Sequence, residues 1–352
     1  MSSPLPQGAA RERSVPFPPR ELMHRVGGQD EEGEYEELGR RIKQMIVEWM
    51  PEEWTFEGKQ VLDFGCGAGR VLRHFLTEAE RGTELWGSEI DAASVEWLER
   101  HLSPPVKVVL HGERPPIPVE DGHFDLIYAM SVFTHITFEW SAWMLEMHRL
   151  LAEGGLLLAT FLSEGMGVHL HEPWDEDRIG MNVARCGAGW DEGGPLTFIS
   201  PWWLREHWGR AFEVLRLEPA VREIGDPWSA HGVVLLRRKP VTVTREELER
   251  VDPADPREIR ALKHNVFQLG RELERGRRTQ SRNEGAERQA AEAERWHRTA
   301  EWWEAQSDRL ESQLKRQRRT VDEMRRSWSW RMTAPLRKAR RWRRSTKSSG
   351  GS

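Results

Sequence analysis

The sequence predicts an α/β fold, a mostly parallel sheet covered by helices on both faces, followed by a C-terminal helical extension with coiled-coil character. Three observations carry this. Between residues 35 and 240, apolar runs of strand length alternate with amphipathic helical segments. A glycine-rich turn lies in VLDFGCGAGR at 61–70, between the first such strand and a helical pattern. Beyond Pro240 the pattern changes to long, charged, heptad-spaced helix.

Taken in order, residues 1–34 are rich in Pro, Gly and charge without periodicity, and read as mostly disordered. From Tyr35 to Met50, Leu38, Ile42, Met45, Ile46 and Trp49 mark one helical face, closed by Pro51. Strands are expected at 61–64, 83–89, 106–110, 125–130, 156–161, 212–217 and 231–238. Helices are expected at 69–80, 92–102 and 138–151, the last stopped by Gly154 and Gly155. Another starts where Ser200 can cap and Pro201 can take the first helical position. About a dozen residues join the last two strands, too few for a helical crossover, so these two should be antiparallel neighbours. In the extension, Ile259, Leu262, Val266, Leu269 and Leu273 set one heptad register, and a second runs from Ala293 to Trp328. The two are out of phase by one residue, which predicts a hinge near Gly270, Gly276 and Gly285. Domains are therefore expected at 35–240 and 241–328, with a basic tail at 329–352 and a homo-oligomer formed through the coiled coil.

Charge divides the chain in the same place. Residues 241–352 hold 28 Lys+Arg against 18 Asp+Glu, whereas residues 1–240 hold 24 against 39. No apolar run approaches the ~18 residues of a membrane span, and the N-terminus has no secretory apolar core, so the expected compartment is the cytoplasm. Cys66 and Cys186 are far apart and fit neither a disulfide framework nor a zinc site, so no metal is expected.

The glycine turn lets backbone approach a ligand closely. A dinucleotide fingerprint wants glycine three positions after Gly67, where Arg70 stands. Asp63, two residues before Gly65, would repel a diphosphate and attract a sulfonium or ammonium. Glu89 ends the second strand, where a carboxylate can accept ribose hydroxyls. These demands together describe S-adenosylmethionine.

The motifs DFGCGAG, GSEID, GERPPIPVEDGHFDLIYAMSVFTHI and RLLAEGGLLLATF, in that order, resemble those of class I S-adenosylmethionine-dependent methyltransferases over roughly residues 35–240. The resemblance implies a Rossmann-like seven-stranded sheet with the last strand antiparallel. It implies that Asp63, Gly65 and Gly67 line the methionine part and that Glu89 takes the ribose, with Cys66, Gly69 and Ile90 completing the cofactor-binding set. It places Glu113 near the adenine amine, although the family more often has Asp there. Ala129 and Ser131, just after the fourth strand, would face the transferable methyl.

The acceptor side is less defined. His135, in SVFTHI, is the candidate catalytic base, with loop orientation or core packing as its other readings. His169 and His171, beside Glu172, Asp175 and Asp177, suggest either a metal site or a substrate-side loop. Residues 162–199 form a long connection on the carboxyl side of the sheet and should shape the acceptor site. Trp174, Trp190, Trp202, Trp203 and Trp228 offer an aromatic platform for sugar rings or serve ordinary packing.

SWSWRMTAPLRKARRW, at 327–342, resembles the tail that follows coiled coils in bacterial glycan-assembly glycosyltransferases and associated methyltransferases. That resemblance implies a glycan acceptor and glycosyltransferase partners. From Arg325 onward there are ten basic residues and no acid, and Trp328, Trp330 and Trp342 favour an interface, so peripheral contact with an anionic membrane is expected. Nucleic acid is not expected, because the acidic half of the chain would repel phosphates. A small-molecule or protein acceptor, and a scaffold that recruits partners without catalysis, are the alternative functions.

Overall fold

The computed structural model describes residues 15–25, 30–164, 174–186, 188–190, 193–221 and 231–282, with helical residues at 308–309, 312–319, 322–323 and 326. The chain divides into two compact units, Met1–Trp174 with Ala188–Glu249, and Asp175–Gly187 with Arg250–Ser352.

The first unit opens with α1 (Arg20–Arg25) and α2 (Glu32–Trp49). Disorder up to residue 34 is thus corrected over 15–25 and from residue 30. The cause is that Leu22 and Met23 are buried, and the Pro19 carbonyl accepts both their amides. Residues 1–14 lie outside the described residues. α2 buries the expected stripe, with Tyr35 added to it.

Next come β1 (Gln60–Phe64), α3 (Leu76–Glu80), β2 (Glu84–Glu89), α4 (Ala92–His101), β3 (Lys107–Leu110), β4 (Phe124–Ala129), α5 (Trp140–Leu150) and β5 (Leu151–Leu162). The helix expected at 69–80 shrinks to α3 and a 3₁₀ turn at Leu72–Phe75. Gly65, Gly67 and Gly69 all take positive φ, so the turn is spent in backbone that a helix cannot use. α5 passes directly into β5, and Gly154 and Gly155 lie inside that strand, where Gly154 is left-handed and the register with β4 shifts.

After β6 (Met181–Ala184), which belongs to the second unit, come β7 (Leu196–Ile199), α6 (Pro201–His207), β8 (Phe212–Glu218), β9 (His231–Arg238) and α7 (Arg245–Leu248). Pro201 opens α6 as expected, but the Ser200 hydroxyl makes no capping bond. β1, β2, β3, β4 and β5 are parallel, in the spatial order β3-β2-β1-β4-β5. β9 runs antiparallel to β5, and β8 antiparallel to β9. This is the seven-stranded mixed sheet of the Rossmann-like methyltransferase fold. β7 adds a short parallel pairing at the end of β5, Leu162 to Phe198. One face of the sheet packs on α2 through a core that includes Ile42, Ile46, Val61, Leu85, Leu126, Tyr128 and Leu158.

In the second unit β6 lies beside α8 (Pro256–Arg282). The Glu272 carboxylate accepts the amides of Arg185 and Cys186, and Arg178 Nη2 lies 3.1 Å from His264 Nδ1. α8 runs unbroken through Gly270 and Gly276, so the expected hinge is absent there; Gly285 lies outside the described residues. Between residues 256 and 275 its buried residues are Glu258, Ala261, His264, Asn265 and Leu269, so of the predicted apolar register only Leu269 is buried. Most of the second heptad register and all of the basic tail lie outside the described residues.

Candidate cofactor and acceptor site

The glycine turn is pinned from the neighbouring strand end. Gly65 and Cys66 donate their amides to the Ser88 carbonyl, at 2.9 and 3.1 Å. A Cβ on Gly65 would run into Val132 Cγ2, which brings the segment after β4 directly against the turn. A Cβ on Gly87 would sit 2.8 Å from Cys66 Sγ. Cys66 is buried, and burial pushes its thiol well above the ordinary range, so it is a packing residue of the cradle.

Glu89 is held by backbone. Its Oε2 accepts Gly67 N at 2.7 Å, and its Oε1 accepts Ile90 N at 2.7 Å and Asp91 N at 3.1 Å. Burial raises its pKa, while these three amides act in the opposite direction. Ile90 thus contributes its amide, and Asp91 caps α4 through Ala93 N and Ser94 N.

Asp63 is paired in register with Tyr128 on β4, which sets both side chains on the same face of the sheet. Burial lifts Asp63 to about 8, and the Glu89 charge adds to that; Tyr128 and Arg70 pull the other way. Its Oδ2 has no hydrogen-bond partner. Arg70, which stands where a dinucleotide site wants glycine, is itself buried and lowered to about 10, with Tyr35 and Asp63 holding it up. Sequence reasoning uses Arg70 only to reject a dinucleotide and does not anticipate this buried group of Asp63, Arg70, Tyr35 and Tyr128.

At the end of β3 the structure separates two candidates. Glu113 is exposed. His111, two residues earlier, is turned inward, stacked 5.7 Å from Phe64 and edge-on 5.4 Å from Trp143. Its amide donates to the Glu89 carbonyl, its Nε2 is buried without a partner, and burial lowers its pKa. His111 is a group that the sequence does not single out. Its position one residue past β3 was the available signal.

On the acceptor side, Ala129 is buried at the end of β4, and Ser131 comes two residues later with φ 62°. Ser131 N donates to Thr160 Oγ1 at 2.7 Å, and its hydroxyl lies 3.2 Å from Thr134 Oγ1. His135 Nδ1 is 2.9 Å from the Pro195 carbonyl oxygen, and a Cβ on Gly194 would lie 3.1 Å from the same nitrogen. Trp202 and Trp203 are buried, and Trp203 packs on Trp140 and His207, so these two serve the core. Trp190 is exposed, with the Arg25 guanidinium 5.8 Å from its ring. Arg25 also pairs with Asp91 at 2.9 Å. His169, His171, Glu172 and Trp228 lie outside the described residues. Among the described residues, no three His, Cys, Asp or Glu side chains gather as a metal site.

The residues present fit an adenosyl cation: an orphaned carboxyl oxygen on Asp63, a glycine turn with no room for side chains at Gly65 and Gly69, and an acid fixed at the second strand end. Together with the fold, these features suit S-adenosylmethionine as the cofactor of a methyltransferase domain. Residues 33–205, just under half of the chain, match the family model described as a methyltransferase domain.

Among relatives, a malonyl-[acyl-carrier protein] O-methyltransferase of Hahella chejuensis is 24% identical over 157 residues, covering 44% of this chain and 52% of the relative. A ubiquinone biosynthesis O-methyltransferase of Pseudomonas aeruginosa is 27% identical over 144 residues, covering 40% and 60%. The chain thus spans between half and two thirds of the length of these curated relatives. A crystal structure of an S-adenosylmethionine-dependent methyltransferase from Mesorhizobium loti aligns with TM-score 0.44 at 14% identity, covering 55% of this chain and 96% of that one. No helix among the described residues is long and apolar enough to cross a membrane.

Proposed function

We propose that the protein methylates a hydroxyl oxygen, with His135 as the base that accepts the hydroxyl proton. The observation that carries this is the 2.9 Å contact between His135 Nδ1 and the Pro195 carbonyl. A carbonyl oxygen only accepts, so Nδ1 bears the ring hydrogen, and Nε2 is the lone-pair nitrogen in the neutral ring. The bond also fixes the ring plane, with Gly194 leaving it room. The cofactor supplies an electrophilic methyl on a sulfonium. Glu89, the glycine turn and Asp63 would hold it, and the chain's remaining task is to orient the acceptor and take its proton. The O-methyltransferase relatives support oxygen as the acceptor atom.

Within this reading the acceptor is a sugar hydroxyl of a bacterial surface glycan. The support is the tail resemblance at 327–342, which also motivates glycosyltransferase partners, and the run of basic residues from Arg325, which motivates peripheral contact with an anionic membrane. Heptads in the extension motivate a homo-oligomer.

The test is formation of S-adenosylhomocysteine by the full chain with a UDP-hexose, a reducing oligosaccharide or 3,4-dihydroxybenzoate as acceptor. Turnover on the sugars alone supports the glycan reading, and turnover on the diphenol alone overturns it. In the productive assay, His135→Ala should lose about 10²–10⁴-fold in kcat with S-adenosylmethionine binding unchanged. Near-normal turnover would remove His135 as base. Cofactor binding without turnover on any acceptor would favour a scaffold role.

A further inference from the structure

We propose that Ser131 is an acceptor-positioning residue, whose hydroxyl hydrogen-bonds the polar group that approaches the transferable methyl. The inference rests on the methyltransferase reading and extends it to a side chain that the base assignment does not use.

The backbone points to it first. Among the described residues, Ser131 and Arg185 are the two non-glycine residues with positive φ; Ser131 lies two residues past β4, and Arg185 follows β6 in the second unit. Left-handed backbone disfavours any residue with a Cβ, and glycine takes it freely. A position whose geometry asks for glycine carries a hydroxyl instead. Such strain is held in place by surrounding structure and collects at functional sites.

The holding structure is explicit. Thr160 is fully buried on β5, and its Oγ1 accepts the Ser131 amide. The next residue, Val132, fills the space above Gly65. Its carbonyl accepts the amides of His135 and Ile136, so the chain makes one tight turn that brings the Thr134 hydroxyl against that of Ser131. Thr134 in turn accepts the Thr197 amide on its carbonyl at 2.7 Å, which ties the turn to β7. Ser131 therefore lies one residue from the contact with the cofactor cradle and four from His135, and β1, β5 and β7 all brace its segment.

A hydroxyl has one donor and two acceptor positions. Thr134 uses one of these, and the Ser131 side chain is half-buried, so capacity remains for a ligand. A residue kept only to make this turn would be served as well by glycine. The hydroxyl is what glycine cannot supply.

The test needs no acceptor. Sinefungin carries an ammonium where the sulfonium methyl stands, whereas S-adenosylhomocysteine has nothing there. Both are titrated calorimetrically into wild type, Ser131→Gly and Ser131→Asn, and the melting temperature of each protein is recorded. The wild type should prefer sinefungin. Ser131→Gly should keep its S-adenosylhomocysteine affinity and melt no lower than wild type, yet lose about tenfold in sinefungin affinity, the scale of one charge-assisted hydrogen bond. Ser131→Asn, which tolerates left-handed backbone and keeps polar atoms, should recover part of that loss. Equal weakening of both ligands, no change in either, or a wild type that does not distinguish them would overturn the proposal. A wild type that binds neither ligand would overturn the methyltransferase reading itself, and this inference with it.

Discussion

On the cofactor side of the site, backbone amides fix the working groups: Glu89 is clamped by three N–H donors, and the glycine turn is hung on one carbonyl of β2. On the acceptor side, partners from farther along the chain do the fixing. Ser131, Thr134 and His135 are placed by Thr160, Thr197 and Pro195, which come from distant stretches of chain. The clamp on Glu89 closes within 22 residues of chain, whereas the contact from His135 to Pro195 spans 60. A site assembled from separate stretches of chain is where a shared fold can change its acceptor.

The largest expected effect breaks the cofactor side alone. Glu89→Ala removes the carboxylate that anchors Gly67 and would hold the ribose, and S-adenosylmethionine affinity should fall by about a hundredfold or more by calorimetry, the worth of one or two hydrogen bonds to a charged group. If Glu89→Ala binds as wild type does, the two sides are not divided as described. Next comes a pH dependence confined to the floor of the cradle. Asp63, raised to about 8 mainly by burial, keeps its proton at neutral pH in the empty protein. A bound cation favours the carboxylate, so binding releases that proton and affinity should rise as pH increases through about 8, then level off. Between pH 6 and 8 the expected gain is about tenfold or more. Asp63→Asn should flatten the profile, and calorimetry in buffers of different ionisation enthalpy should show the released proton disappear. The smallest effect belongs to Arg25→Ala. Asp91 keeps its bonds to Ala93, Ser94 N and Ser94 Oγ, and the Arg25 side chain is partly solvated. Less than threefold in cofactor affinity is expected, and that difference should vanish at high salt.

Much of the cofactor side is legible in the sequence because its signals are local. Alternation marks β1, β2 and β4 to within a residue, and the short link between β8 and β9 foretells their antiparallel pairing. Where two local signals compete, legibility fails. Gly154 and Gly155 look like a helix stop and lie within β5, because a register shift inside a strand also calls for glycine. Gly270 and Gly276 look like a hinge and lie inside α8, where a glycine weakens a helix without ending it. His111 draws no attention because the direction of a side chain is not visible in a sequence. Thr160, Thr197 and Pro195 carry no motif, since their roles exist only once β5 and β7 lie beside the turn after β4.

The chain contains only two tyrosines, and both, Tyr35 and Tyr128, are fully buried around Arg70 and Asp63 beneath the cradle. Protein grown on 3-fluorotyrosine should therefore show just two fluorine resonances, both from the floor of the cofactor site. A chain of this size thus carries its own two-line spectroscopic gauge, readable without introducing a mutation or attaching a dye.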